Sequence, residues 1–244
     1  MLILLPPSET KRSGGVGVSI DKSAIIWAAL DPARDLLIAE ITKVCNDPAL
    51  AKRVFKLGPK NEADLEANKR LMTAPTMAAI ERYAGVVYDA IDYQTLTEGA
   101  KARVQERLFI QSALFGLLPA TEQIPYYRFS AATKLPGVNL KELWIEAHKA
   151  VWPRLTRPIL DMRSKAYAEL NPVPESLESY SVDVFDQSGK ALNHFNKKAK
   201  GLFVRSALEN NLDTIDELPE IAKAVGLIAE IDGFSVRLIT PQGF

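Results

Sequence analysis

Residues that hold metals and disulfides are scarce in this sequence. Its 244 residues include one cysteine, Cys45, and two histidines, His148 and His194. A disulfide within the chain is therefore excluded, because it needs two cysteines. The Cys and His residues are also too few for a zinc site of recognisable spacing. We expect no metal and no other cofactor. We interpret Cys45 as an inert packed thiol and His148 as a satisfied side chain of a helix.

Charge of one sign is not in excess, and long apolar runs are missing. Lys plus Arg and Asp plus Glu both number 30, so the formal net charge is zero. A protein that binds nucleic acid over its whole surface would be strongly basic, so any polyanion site here must be a local patch. No apolar run approaches the roughly 20 residues of a membrane span, and the opening run is too short for a secretion signal. We expect a cytoplasmic protein with no membrane partner.

Sequence motifs of common enzyme classes are missing as well. The chain has no G-x-S-x-G nucleophile elbow and no phosphate-binding P-loop. Gly15-Val16-Gly17 imitates part of a dinucleotide-binding loop, but the third glycine is absent. The sequence therefore leaves open whether this protein is an enzyme.

Short apolar segments predict the strands of a sheet. Leu2–Leu5 is an apolar run that ends at a pair of prolines, and a longer run covers residues 108–118. Further strand candidates are residues 158–162 and the alternating segments 180–185 and 234–239. Strands interspersed with helices predict the α/β class, with an α+β arrangement left open. We expect one compact domain over residues 1–244, in which helices surround a central sheet.

Capping residues mark several helices between these strands. Asp31-Pro32 and Asp47-Pro48 each place a capping residue before a proline, which suits the first turn of a helix. Thr95 and Glu98 have the spacing of a capping box, which predicts a helix to about residue 107. Phe195–Glu209 is also predicted as a helix, because apolar side chains recur every four residues along it.

The loop after the first strand carries several groups that could hold an anion. Ser8, Glu9, Thr10 and Lys11 place hydroxyls, a carboxylate and an ammonium close together. Loops at the carboxyl ends of sheet strands are where open α/β folds bind ligands. An ordinary solvated loop is the alternative.

A second candidate group lies near the middle of the chain. Ser112 falls inside an apolar strand, where a hydroxyl needs a hydrogen bond. Arg128 could grip a phosphate or carboxylate with two donors, and Tyr126 and Tyr127 offer stacking surfaces. A plain core strand followed by exposed tyrosines is the alternative.

A run of cations forms a third candidate. Lys197, Lys198, Lys200 and Arg205 follow one another without an acidic residue between them, and Lys198 and Arg205 share one helix face. They could form a phosphate patch, although such a run is commonly just a solvated helix face.

Segment 48–71 resembles a helix-hairpin-helix, a motif that holds a DNA phosphate with backbone amides. Two helical stretches flank the connection at Gly58, and Lys60 stands where the motif usually has a second glycine. Six cations against three carboxylates give the segment a charge of +3; the cations are Lys52, Arg53, Lys56, Lys60, Lys69 and Arg70. A plain pair of helices is the alternative.

These stretches together resemble the YaaA family of bacterial peroxide-stress proteins. The matching segments are MLILLPPSETK, SALFGLLPATEQIPYYR, LDMRSKAY and KKAKGLFVRSALENN. No single motif is very specific, but the ordered set brackets nearly the whole chain. The positions that match the family pattern are Pro7, Thr10, Ser112, Gly116, Pro125, Tyr126, Arg128, Ser164, Tyr167, Lys197, Lys198, Gly201 and Arg205.

The resemblance implies a cytosolic α/β protein that limits peroxide damage and lowers free iron. It also implies DNA binding through a helix-hairpin-helix element and a positively charged cleft. The chain departs from the family at three positions. Ala113 stands where the family often has a glycine, and Lys11 lies further along its loop than the corresponding lysine of some members. Arg163 occupies a position that is not basic in some relatives. These departures leave the chemistry of the cleft open.

Two functions follow as expectations. The first is a stress protein that binds duplex or branched DNA without sequence preference and helps to limit iron-dependent damage. The second is an enzyme for a nucleotide- or nucleobase-like substrate, with Glu9 and Ser112 as catalytic groups. The expected ligand- and phosphate-binding residues are Ser8, Thr10, Lys11, Tyr126, Arg128, Arg163, Ser164, Tyr167, Lys197, Lys198 and Arg205. We expect any effect on iron to be indirect, because the scarce His and Cys residues form no recognisable iron site.

Overall fold

A mixed sheet lies at the centre of the computed structural model, which describes residues 1–21, 25–59, 61–191 and 195–241, without the side chain of Phe195. In these residues seven strands form the sheet: β1 Leu2–Leu5, β3 Leu108–Ser112, β4 Gly116–Pro119, β6 Ile159–Asp161, β7 Ser179–Phe185, β8 Ile228–Asp232 and β9 Ser235–Ile239. Their order is β4-β3-β1-β6-β7-β9-β8. A small antiparallel sheet pairs β2 (Thr76–Ala78) with β5 (Gln123–Pro125).

The middle of the large sheet is parallel and doubly wound. β1 pairs in parallel with β3 on one side and with β6 on the other, and β6, β7 and β9 continue in parallel. The edge strands β4 and β8 are antiparallel to their neighbours. The chain therefore leaves β1 toward β3 and then crosses back to β6. Open α/β sheets bind ligands outside the carboxyl ends of strands at such a reversal.

Ten helices in the described residues surround the sheet. They are α1 Asp31–Cys45, α2 Pro48–Val54, α3 Ala63–Lys69, α4 Ala79–Arg82, α5 Val86–Ile91, α6 Glu98–Arg107, α7 Leu140–His148, α8 Lys165–Leu170, α9 Phe195–Glu209 and α10 Leu218–Lys223. None of them is long and apolar enough to cross a bilayer. The α/β class and the central sheet flanked by helices are thus confirmed.

Local capping chemistry explains which helix starts were predicted correctly. The Asp47 carboxylate accepts hydrogen bonds from the amides of Ala49 and Leu50, as expected for α2. The capping box at Thr95 was wrong, because α6 begins after Thr97, whose hydroxyl accepts from the Ala100 amide at 3.2 Å. The Thr95 hydroxyl instead contacts Asp92 at the end of α5.

Residues 108–118 form a hairpin and not the single strand that the apolar run suggested. The Ser112 hydroxyl accepts hydrogen bonds from the amides of Leu114 and Phe115, which turns the chain at the end of β3. Gly116 then begins β4 with φ +74°, and a Cβ there would lie 2.8 Å from the Trp144 ring. The turn therefore depends on packing against α7, which the local sequence does not show.

His148 is a satisfied core side chain, as the sequence indicated. It is fully buried. Nδ1 lies 2.8 Å from the Trp144 carbonyl and Nε2 accepts a hydrogen bond from the Leu117 amide. This pairing requires the neutral ring with its proton on Nδ1. Burial lowers the pKa of His148 to about 4.

We expect this protein to lose stability between pH 7 and pH 5 through His148. The unfolded state has the ordinary histidine pKa of about 6.5, so it binds a proton over this range while the folded state does not. The free energy of unfolding has its full value well above pH 6.5. Below that pH it falls by roughly 1.4 kcal/mol per pH unit, which makes about 2 kcal/mol at pH 5. Urea unfolding of the wild type and of His148→Gln at both pH values measures it. An equal fall in the two proteins would contradict this role.

Candidate anion-binding site

The loop after β1 is fixed at the carboxyl edge of the sheet by hydrogen bonds of its backbone. The Tyr88 hydroxyl donates to the Pro6 carbonyl at 2.8 Å, and the Ala84 amide donates to the Thr10 carbonyl at 3.1 Å. Glu9 and Thr10 are exposed, and Ser8 is half-buried. The loop therefore presents its side chains from a rigid backbone.

Lys11 turns inward from this loop. The residue is 9% exposed, and its Nζ donates to the carbonyls of Ser8 and Glu9 at 3.3 and 3.4 Å. The same nitrogen lies 4.3 Å from the centre of the Tyr127 ring, a cation–π distance. Burial lowers the pKa of Lys11 to about 7, and the neighbouring Arg128 cation acts in the same direction. Lys11 is thus a buried amine that is about half protonated at neutral pH.

Ser112 belongs to a buried hydroxyl network beneath Lys11. Its Oγ lies 2.9 Å from the Tyr127 hydroxyl, which lies 2.6 Å from the hydroxyl of Tyr83. All three side chains are buried. Because its oxygen is surrounded by protein donors, Ser112 supports the Lys11 loop and reaches no solvent.

Lys11 lines a small cavity between the first loop, the end of α2 and residues 128–133. The cavity has a volume of about 150 Å³, and its polar lining consists of Glu9, Lys11, Lys56, Arg128, Ser130 and Thr133. A second cavity of about 420 Å³ shares its Val54, Lys56 and Ala132 walls and adds Arg53 and Lys134. We call the two cavities together the basic groove. Among the residues that the structure describes, five basic side chains and one carboxylate line it.

Helix α3 holds the wall of the basic groove that carries Arg128. The buried Asn68 side chain donates to the Arg128 carbonyl at 2.9 Å and accepts from the Arg128 amide at 2.7 Å. Asp64 accepts from the Tyr126 hydroxyl at 2.8 Å and lies 3.8 Å from the Arg128 guanidinium. Sequence reasoning missed Asp64 and Asn68 as supports, although their spacing of four puts them on one helix face.

The helix-hairpin-helix detail is not confirmed. α2 and α3 exist and both pack against α1. The Gly58 amide, however, donates to the Asn61 side chain at 2.6 Å, so it does not point at a ligand. Lys52 pairs with Glu62 at 2.6 Å, and Lys60 lies outside the described residues. Of the cations of this segment that the structure describes, Arg53 and Lys56 reach the basic groove.

Lys56 has an unusual backbone conformation for a lysine. Its φ is +52°, and the Leu57 amide donates to the Lys52 carbonyl at 2.9 Å. This is a Schellman ending of α2, in which the left-handed residue is usually glycine. A residue with a Cβ is strained there by roughly 1 kcal/mol. The strained position carries an exposed cation into both cavities of the basic groove.

Arg163 does not reach the basic groove. Its guanidinium binds the Asp161 carboxylate with two hydrogen bonds of 2.9 and 2.7 Å and donates to the Asn171 carbonyl at 2.8 Å. The residue is buried behind the end of β6. Ser164 precedes α8 on the exposed side, and the Tyr167 hydroxyl accepts from the Ala131 amide at 3.3 Å, next to the groove wall.

The cations of α9 also lie apart from the basic groove. Lys197 and Lys198 are exposed, and Lys200 is buried and donates to the Met162 carbonyl at 3.2 Å. Arg205 donates to the carbonyls of Ile91, Asp92 and Thr95 and so closes the end of α5. None of these side chains lines either cavity, so we leave them out of the site.

Metal ligands do not gather in the part of the chain that the structure describes. No group of three or more His, Cys, Asp and Glu side chains there could hold a metal ion. Cys45 is buried at the end of α1, and burial raises the pKa of its thiol to about 11. The thiol is therefore inert packing, as the sequence indicated.

Comparison with known proteins places the whole fold in one family. A family described as peroxide stress protein YaaA matches residues 1–228. A UPF0246 protein of Corynebacterium glutamicum is 39% identical over 94% of this chain and 95% of its own length. A UPF0246 protein of Streptomyces coelicolor is 36% identical over 85% and 83%, and an uncharacterized protein of Campylobacter jejuni is 28% identical over 91% and 92%. This chain belongs to the YaaA family of peroxide stress proteins.

Proposed function

We propose that this peroxide stress protein binds DNA by its phosphates in the basic groove. The observation that carries the proposal is the charge of the groove, where five basic side chains of the described residues meet one carboxylate in a chain of zero net charge. Arg53, Lys56 and Lys134 are exposed, and no hydrogen bond or ion pair with another described residue uses their charges. Cations of this kind neutralise backbone phosphates.

The proposed binding reads the DNA backbone and not the bases. Apart from Glu9, the described groove wall consists of lysine, arginine, hydroxyl and apolar side chains. Basic and hydroxyl side chains commonly contact the phosphates and sugars of DNA. No asparagine or glutamine of the described part of the chain lines either cavity, although these side chains are the usual partners of adenine. We therefore propose a sequence-independent interaction with duplex or branched DNA.

Salt dependence tests the proposed function. Three to five phosphate contacts should give a slope of about −3 to −4.5 in a plot of log affinity against log salt. Affinity should thus fall about 100-fold between roughly 50 and 200 mM salt. Fluorescence anisotropy with labelled duplex and branched DNA measures it. Absent binding, or binding that salt does not weaken, would reject the proposal.

Protection against iron-dependent damage is proposed as an indirect effect of this binding. A protein that covers the DNA backbone keeps the reactive products of iron and peroxide away from the sugars. The described residues hold no cluster of metal ligands that would bind iron directly. Stoichiometric, tight Fe²⁺ binding by the purified protein in calorimetry would contradict this indirect role.

A nucleotide-processing enzyme is the second candidate. It is favoured by the small cavity, where the Glu9 carboxylate stands beside Lys11 and Arg128 and could act as a general acid or base. Thermal shifts with nucleotides would probe it, with Glu9→Gln as the variant. No shift with any nucleotide and an unchanged Glu9→Gln protein would remove this candidate.

Replacing Lys56 by glycine should separate stability from binding. Glycine takes the left-handed conformation without a Cβ, so we expect the free energy of unfolding to rise by about 0.5 kcal/mol or more. The loss of one phosphate contact should lower the salt slope by about one. Urea unfolding and anisotropy measure the two effects.

The matched control for this change is Asn211→Gly. Asn211 has φ +56° after α9, and the next amide donates to the Ala207 carbonyl, so it occupies the same helix ending outside the groove. The Asn211→Gly variant should therefore have the same DNA affinity as the wild type. If Lys56→Gly also leaves the salt slope unchanged, Lys56 does not contact DNA.

A further inference from the structure

The two cavities of the basic groove differ in how deep their cations lie. Arg53, Lys56 and Lys134 are exposed at the surface, whereas Lys11 is 9% exposed at the inner wall of the smaller cavity. A phosphodiester inside a duplex has a sugar on each side, whereas a terminal phosphate has only one. A terminal phosphate therefore reaches Lys11 at the inner wall more easily than an ordinary backbone phosphate does.

A terminal phosphate has the shape that the small cavity accepts. A phosphomonoester has one ester link and presents three strong acceptor oxygens with a charge between about −1.5 and −2 at neutral pH. The cavity offers the Lys11 amine, the Arg128 guanidinium and the Lys56 ammonium, with the hydroxyls of Ser130 and Thr133 beside them. The cavity lining thus includes five side chains that are able to donate hydrogen bonds to a phosphate.

The hydroxyl pair is held in place before any ligand arrives. The Thr133 hydroxyl accepts from the Ser130 amide at 3.1 Å and lies 3.3 Å from the Ser130 hydroxyl. Arg128 is held by Asn68 through both of its backbone polar groups. Ser130, Thr133 and Arg128 are therefore positioned by hydrogen bonds within the protein.

The charged groups around Lys11 balance each other in number. The cations of Arg128 and Arg82 lower the pKa of Lys11, and the carboxylates of Asp64 and Glu9 raise it. The rings of Tyr83 and Tyr127 lie next to the Lys11 amine. The pKa of Lys11 near 7 means that a bound dianion would draw a proton onto the amine. Glu9 is exposed at the rim, so it can turn into solvent.

We infer that the small cavity is a binding site for a phosphomonoester, held by Lys11 and Arg128, at a DNA strand end or on a free nucleoside monophosphate. The strand-end source rests on the proposed DNA binding, and the free nucleotide does not. The site gives the groove a preference for broken or processed DNA over continuous duplex.

Calorimetry with four ligands tests this inference. They are a blunt duplex with 5′-phosphates, the same duplex with 5′-hydroxyls, thymidine 5′-monophosphate and thymidine. We expect the phosphorylated duplex to bind about tenfold more tightly than the hydroxyl duplex, which corresponds to about 1.4 kcal/mol. Titration in two buffers of different ionisation enthalpy should show uptake of about half a proton near pH 7.

Variants keep the test informative if Lys11 is also needed for folding. Lys11→Met should remove the preference and the proton uptake, and Lys56→Gln, an exposed change, should weaken the preference in a folded protein. Tight binding of thymidine monophosphate alone would assign the site to free nucleotides. Equal affinity for both duplexes together with no binding of the monophosphate would overturn the inference. In that case salt-dependent binding of both duplexes would leave the proposed function standing.

Discussion

Replacing Arg53, Lys56 and Lys134 together by glutamine should lower the affinity for duplex DNA by about 100-fold near 100 mM salt. Each of these side chains lines the basic groove at the surface, where it can displace one counterion from a phosphate. The slope of log affinity against log salt should fall by about three. Anisotropy over a salt series measures both quantities.

A matched control separates this local effect from the change in net charge. Lys43, Lys149 and Lys223 are exposed by 76%, 67% and 76%. Lys43 and Lys223 lie on α1 and α10, Lys149 directly follows α7, and all three lie outside both cavities. Changing these three to glutamine gives the same net charge of −3. We expect the control to keep nearly all of its affinity. An equal loss in both triple variants would mean that DNA is attracted by overall charge and not by the groove.

Arg82→Met should destabilise the protein by about 3–5 kcal/mol. Arg82 is fully buried, and its guanidinium donates to four backbone carbonyls; these belong to Arg12, Gly14, Pro75 and Ile124. Methionine would leave these buried acceptors without donors, at about 1–3 kcal/mol for each that water cannot reach. The loop that carries Lys11 would lose its attachment to β5 at the same time. Urea unfolding measures the loss.

Two further arginine variants show whether geometry or charge matters at this position. Arg82→Lys keeps the charge but loses the planar fork, so it should recover only part of the stability. Arg12→Met, at a side chain that is 52% exposed, should change the free energy of unfolding by less than about 1 kcal/mol. If Arg82→Met is as mild as Arg12→Met, the buried guanidinium does not hold the loop.

Local patterns in the sequence predicted most of the sheet. β1 was found because all four of its residues are apolar and prolines stop it, and β7 because its side chains alternate. The strand β8 escaped notice, since four of its five residues are exposed and only pairing with β9 makes it a strand. The hairpin at Gly116 escaped because the turn depends on Trp144, far along the chain. Strand order depends on such long-range contacts throughout.

The candidate site was only partly visible in the sequence. Residue chemistry pointed to Glu9, Lys11 and Arg128, and the structure brings these three together with Arg53 and Lys56 of the helical segment. The same chemistry also pointed to Arg163 and Arg205, whose donors are taken by Asp161 and by backbone carbonyls. Whether a guanidinium is exposed or already satisfied depends on distant residues. The structural role of Arg82 was not predicted from the sequence for the same reason.

The most direct test of the basic groove as the DNA site is hydrogen–deuterium exchange with and without a short duplex at low salt. We expect slower exchange at residues 50–56 and 128–136, which form the two walls of the groove. Residues 197–205 of α9 should be unaffected. Protection along α9 with none at residues 128–136 would contradict the assignment.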